Sequence, residues 1–137
     1  GGEALSLAAA AAVLDTIADG SVLDAIEARG VMMLSGLEDL VEAHDLGDLV
    51  TVGGEPHRAV VGFPGPDGLR NKSWVQQCMA EAGVLFNGSM FICARHTERD
   101  VIRALDAFDV ALAALADGTD VGARLVGALV EPVFRSV

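Results

Sequence analysis

Few residues in this chain have the type and spacing to do chemistry. Asn87-Gly88-Ser89-Met90 gathers an amide, a hydroxyl and a thioether around a glycine. Asn and Gly tolerate positive φ, so the composition favours a tight turn. This loop is the best candidate for contact with a small molecule; the competing reading is a plain hairpin turn. His96 has the residue type of a general base, but Thr97 and Asp100 beside it are spaced as a capping box, with Asp in place of Glu or Gln. That pattern makes His96 first of all a hydrogen-bonding residue at a helix start. Lys72 is the one lysine of the chain. A nucleophilic amine needs a lowered pKa, and nothing in Arg70, Asn71 and Ser73 marks a buried amine, so Lys72 is expected on an exposed helix surface. His44 and His57 lack Asp or Cys partners at ligand spacing, and no metal site is expected. Gly53-Gly54 is too short for a phosphate loop. Cys78 and Cys93 have no metal or redox spacing and read as small buried hydrophobes in a reducing cytosol. No residue is assigned a catalytic or cofactor-binding role.

The elements that hold these residues follow from periodicity. Val84-Leu85-Phe86 and Phe91-Ile92-Cys93-Ala94 are apolar runs of strand length flanking the Asn87-Gly88-Ser89 turn. Val101, Leu105, Phe108, Leu112 and Leu115 then recur at steps of four and three, one apolar face of a helix capped by Thr97. Upstream, residues 3–18 should form a helix around the alanine run Ala8 to Ala12, made to pack against something larger. Asp19-Gly20 ends it. Ser21, with Asp24 at the capping-box position, opens a long helix with a stripe of Val22, Ile26, Met33, Leu37, Leu40 and Val41. Gly30 and Gly36 weaken that helix and point to close contact with another backbone, and His44 lies near its C-terminus, where a cation is favourable. Leu49 to Val52 reads as a strand, Gly53 to Pro56 as a turn, and His57 to Phe63 as a strand with Ala59, Val61 and Phe63 on one face. Leu69 to Ala82 forms a helix stopped by Gly83. Val121, Leu125 and Leu129 suggest a short last helix, broken at Pro132, with Val133-Phe134 as a final anchor.

The order predicts an α+β fold: a small, mainly antiparallel sheet with helices on one face, preceded by a long linking helix. Residues 1–20 form a partial element of another domain, 21–47 the linking helix and 48–137 the small domain. With 137 residues and 52% apolar composition there is enough material for a core. No apolar run reaches the roughly 18 residues of a membrane span. The net charge is −11 and the eight arginines are scattered, which argues against phosphate-backbone binding.

Several stretches carry a resemblance. GVLFNGS (83–89) and ARHTERDV (94–101) are similar to the C-terminal domain of class III pyridoxal-phosphate aminotransferases, within them the glutamate-1-semialdehyde aminomutase-like group. The start, GGEALSLAAAAAVLDTI, resembles the segment after the cofactor-binding lysine. Val31 to Leu40 resembles the linking helix, and GALVEPVFR the chain terminus. The resemblance implies the C-terminal small domain of a fold-type I enzyme. The parent would be a homodimer that moves an amino group between an amino compound and a carbonyl acceptor. It also implies that the reactive lysine and a phosphate-holding threonine lie upstream of Gly1. Pyridoxal phosphate is therefore expected in the parent and not on this chain alone. Asn87, Gly88, Ser89 and Met90 would face the substrate side. The segment from Met90 to Arg95 is shorter than in the aminomutases, which favours a related transaminase. The alternative is a non-catalytic binding or dimerisation module. Either protein is expected in the cytoplasm, a homo-oligomer without nucleic-acid or membrane partners.

Overall fold

Alternation along one strand fixes the inside of the molecule. In β2 (Arg58–Gly62), Ala59 and Val61 are buried while Arg58 and Val60 face out. A computed structural model describes residues 3–131. There, β2 lies between β1 (Thr51–Glu55) and β3 (Ser89–Phe91) in an antiparallel sheet of order β1-β2-β3. The register pairs Val52 with Val61 and Met90 with Ala59. The inner face packs on three helices: α2 (Ser21–Ala43), α3 (Gly68–Glu81) and α4 (Glu98–Ala116). Met33 and Leu37 from α2, Val75 and Met79 from α3, and Val101, Phe108 and Leu112 from α4 share one core with the sheet. The fold is thus α+β, with helices against one face of a small antiparallel sheet.

Two glycines let α2 approach closely. A Cβ on Gly30 would sit 2.0 Å from the Pro56 carbonyl oxygen, in the β1–β2 turn. One on Gly36 would meet the Leu105 side chain at 2.5 Å. Both positions serve packing. The helix α1 (Ala4–Ile17) precedes α2 at a bend of 72° and buries none of its residues.

Local signals lost to tertiary pairing in several places. The first strand starts at Thr51 rather than Leu49, and Gly53, Gly54 and Glu55 extend it instead of turning. Pairing of Glu55 with Arg58 moves the turn to Pro56-His57, and Gly54, at φ +99, leaves room for the Arg58 carbonyl. Val84 to Phe86 is not a strand. The chain there still completes the end of α3: Gly83 has φ +76, its N–H donates to the Ala80 carbonyl, and Val84 N–H donates to Met79. Leu85 is left exposed, and Phe86 turns inward to meet Phe108 edge-on, with centroids 5.0 Å apart. Ser21 does not cap α2. Gly20, at φ +81, takes that position, and Ser21 Oγ donates to Asp19 instead. The expected last helix is only a 3-10 turn, Gly122–Arg124. Val126 and Val130 give their N–H groups to Gln77 and Ser73, which holds this segment along α3. Pro132, Val133 and Phe134 lie outside the described residues.

Candidate functional site

The Asn87–Met90 loop is an elbow between the end of α3 and the sheet, not a hairpin. Gly88 has φ +110, which a side chain would strain. Asn87 Oδ1 accepts the Ser89 N–H at 3.1 Å, closing an Asx turn. The Gly88 carbonyl accepts the Val61 N–H at 2.9 Å, which ties the elbow to β2. Asn87 is exposed, Gly88 and Ser89 are half-buried, and Met90 is buried in the inner face of the sheet. Only Asn87 and Ser89 therefore present polar side chains.

Lys72 departs from its expected place. It is half-buried, and a Cβ on Gly88 would lie 3.4 Å from its Nζ. Placed at the start of α3, its stem follows the protein surface and its amine backs the elbow. Cys93 also departs: it is exposed, because Phe91–Ala94 leaves the sheet after Phe91. Cys78 is buried as expected, and burial, reinforced by nearby Glu81, pushes its thiol up to about 11.

Beside the elbow opens a cleft of about 750 Å³. Met33 from α2 and Val101 and Ala104 from α4 line it, Val84–Asn87 and Ser89–Ile92 flank it, and His96, Asp100 and Arg103 complete its lining. His96 Nδ1 accepts the Cys93 N–H at 3.1 Å. In the neutral ring the proton therefore sits on Nε2, and His96 can donate there but has no free lone pair for base work. Thr97 and Asp100 form a complete capping box. Thr97 N–H donates to Asp100 Oδ2 at 2.7 Å, and Asp100 N–H donates to Thr97 Oγ1 at 3.3 Å. The hydrogen bonds from the Thr97 backbone and hydroxyl hold the Asp100 carboxyl below its ordinary range, helped by His96 and Arg103. Arg103 Nη2 donates to the Ala82 carbonyl at 2.6 Å. Sequence spacing gave no sign of Arg103 or Met33 at this site; both stand there because α2 and α4 cross beneath the elbow. His44 is not in the cleft. Its Nε2 lies 2.7 Å from Asp109 Oδ1, linking the end of α2 to α4. His57, exposed in the β1–β2 turn, is likewise apart from the cleft lining. Among the described residues no three His, Cys, Asp or Glu side chains are grouped to hold a metal.

No family model matches this sequence. No curated protein matches it either. Among solved structures the chain is similar to FumI of Sphingopyxis sp. MTA144 in its pyridoxal-phosphate internal aldimine form. The two are 27% identical, with a TM-score of 0.59 over 71% of this chain. The matched part is 24% of FumI, so the chain spans about a quarter of that protein's length. The fold described above is thus that of a segment of a pyridoxal-phosphate-dependent protein. The described residues do not by themselves make a site for that group. Such a site needs a lysine amine facing the cofactor and donors around its phosphate. Lys72, the one lysine, backs the Gly88 elbow and does not line the cleft.

Proposed function

We propose that this chain is the C-terminal segment of a class III pyridoxal-phosphate-dependent aminotransferase or aminomutase, with the Asn87–Met90 elbow on the substrate side. The observation that carries the reading is the likeness to part of FumI, which is a pyridoxal-phosphate form. In the parent, the cofactor would supply the electron sink for amino transfer between an amino compound and a carbonyl acceptor. This segment would supply the rigid elbow, whose Asn87 amide and Ser89 hydroxyl orient substrate. The reactive lysine would belong to a preceding large domain, to which α1 would attach. In this reading the parent is a cytoplasmic homodimer.

The test has two arms. The gene upstream of Gly1 is sequenced, and the longer protein is expressed and assayed for amino transfer. Asn87→Ala should raise KM for the amino compound and leave the bound cofactor's absorbance unchanged. In the second arm the isolated chain is mixed with pyridoxal phosphate, reduced with borohydride and mapped. Stoichiometric labelling of Lys72, blocked by substrate, would overturn the reading. A start codon close to Gly1 would favour a binding module instead.

A further inference from the structure

The chain holds two asparagines, Asn71 and Asn87, in opposite settings. Asn71 lies within α3 and is only 3% exposed. Asn87 is exposed and is followed by Gly88. An asparagine side chain can close a succinimide ring with the backbone nitrogen of the next residue. Closure needs an electrophilic amide carbon, an N–H not engaged elsewhere, and little bulk on the residue that supplies it. Gly88 carries no Cβ, and its N–H has no hydrogen-bond partner among the described residues. The Ser89 N–H donates to Asn87 Oδ1 at 3.1 Å. That bond polarises the Asn87 side-chain carbonyl. It also meets the oxygen on which negative charge gathers when Cγ is attacked, the role of an oxyanion donor.

The Asp-Gly pairs of the chain supply the contrast. They are Asp19-Gly20, Asp67-Gly68 and Asp117-Gly118. In each the glycine N–H is engaged: Gly20 donates to the Ile17 carbonyl at 3.1 Å, Gly68 to Gly65 at 3.2 Å, and Gly118 to Leu115 at 3.3 Å. Asp19 even forms the same local turn as Asn87, accepting the Ser21 N–H at 3.0 Å. Hydrogen bonds from the Ser21 side chain and backbone hold its carboxyl below the ordinary range. An ionised carboxylate repels a nucleophile and offers no leaving group to match an amide. Among these pairs only Asn87-Gly88 therefore joins an amide carbon to a glycine nitrogen without a partner.

We propose that Asn87-Gly88 is a self-modification site, at which the folded chain converts its own asparagine to aspartate and isoaspartate. The Gly88 nitrogen attacks Asn87 Cγ and gives up its proton. The new C–N bond closes the succinimide, the Cγ–Nδ2 bond breaks, and Nδ2 leaves as ammonia with that proton. Water then opens the ring. Cleavage at Cγ leaves aspartate at position 87. Cleavage at the main-chain carbonyl leaves isoaspartate, with the backbone routed through the side chain and lengthened by one carbon. Either product adds a negative charge to a chain already at −11. The longer backbone of isoaspartate also shifts Gly88, whose carbonyl now accepts the Val61 N–H at 2.9 Å, and so loosens the elbow from β2. The site lies within this chain and does not depend on the proposed function.

The whole chain is incubated folded in mildly alkaline buffer and, in parallel, unfolded in guanidinium chloride. Both samples are digested and mapped by mass spectrometry, and an isoaspartyl methyltransferase reads out isoaspartate. In the folded chain the peptide carrying Asn87 should gain the mass of an NH2-to-OH exchange, while Asn71 and the three Asp-Gly pairs stay unchanged. The folded rate at Asn87 should lie within about tenfold of the unfolded rate, because only hydrogen bonds of the elbow must open. Conversion through global unfolding would instead be slowed by the whole unfolding equilibrium. Asn87→Gln cannot close the same ring and should abolish the signal. A folded rate more than about tenfold below the unfolded one, faster conversion of Asn71 than of Asn87, or a signal that survives in Asn87→Gln would overturn the proposal.

Discussion

The helices α1 and α4 are both rich in apolar residues, yet the structure treats them in opposite ways. In α4 the apolar residues form one stripe, and Val101, Ala104, Phe108, Ala111 and Leu112 are buried. In α1 they surround the helix: Leu5, Leu7, Val13 and Leu14 are all more than half exposed, and no residue is buried. The starts differ as well. A Thr97–Asp100 capping box begins α4, whereas Glu3 caps α1 through the N–H groups of Leu5 and Ser6. A helix apolar on all sides is one made to be buried on all sides. The described residues supply one wall for α1, at α2, and a nearly complete enclosure for α4. The comparison shows that burial depends on whether the chain holds the surface complementary to a helix, and not on how apolar the helix is.

The sharpest way to break this contrast is to truncate one large residue in each helix. Phe108→Ala should cost about 3–5 kcal/mol, the usual range for a buried phenylalanine, because Phe108 is fully buried and meets Phe86 edge-on. Leu14→Ala, with 63% of its surface exposed, should change stability by less than about 0.5 kcal/mol. Equal shifts in urea midpoint for the two would mean that α1 is packed after all.

A smaller effect tests the close approach of α2 to its neighbours, the β1–β2 turn at Gly30 and α4 at Gly36. Gly30→Ala gains helix propensity, about 1 kcal/mol, but sets a methyl against the Pro56 carbonyl. Overpacking of this kind costs about 1–3 kcal/mol, so the variant should be less stable. Gly36→Ala meets only the end of the Leu105 side chain and should cost less. Thermal unfolding of the pair decides whether the backbone contact matters.

The capping box gives the next effect. Thr97→Ala should lower stability by about 1 kcal/mol in chemical denaturation. Its acid dependence has a definite sign. Asp100 has a folded pKa below its ordinary 3.8, owing first to the Thr97 hydrogen bonds. Its contribution is therefore present above that value and is lost as pH falls through the lower folded pKa. In Asp100→Ala, stability should fall less between neutral pH and pH ~3 than in the wild-type chain, because this carboxyl no longer takes up a proton.

The smallest effect concerns the uncovered α1. Its exposed leucines should drive weak self-association, and added salt should strengthen it by screening the −11 charge. Light scattering at two ionic strengths is the measurement. A strict monomer at both, with α1 protected from hydrogen exchange, would show that the helix needs no further cover.

What the sequence determined alone is what depends on neighbours along the chain. The capping box at Thr97, the glycine stop of α3 at Gly83, the apolar stripe of α4 and the alternation of Ala59 and Val61 all came from spacing, because each is satisfied within a few residues. The elbow was legible as a turn in Asn87-Gly88, but not as an elbow. Whether Val84–Phe86 pairs across it depends on Phe86 finding Phe108, more than twenty positions away in sequence. Lys72 behind Gly88, Arg103 at the cleft and the place of β3 in the sheet were likewise settled by contacts between distant segments. Helix and turn signals are local because their hydrogen bonds close over three to five residues. Strand pairing, cleft lining and the fate of α1 depend on which surfaces meet, and that is decided only when the chain has folded.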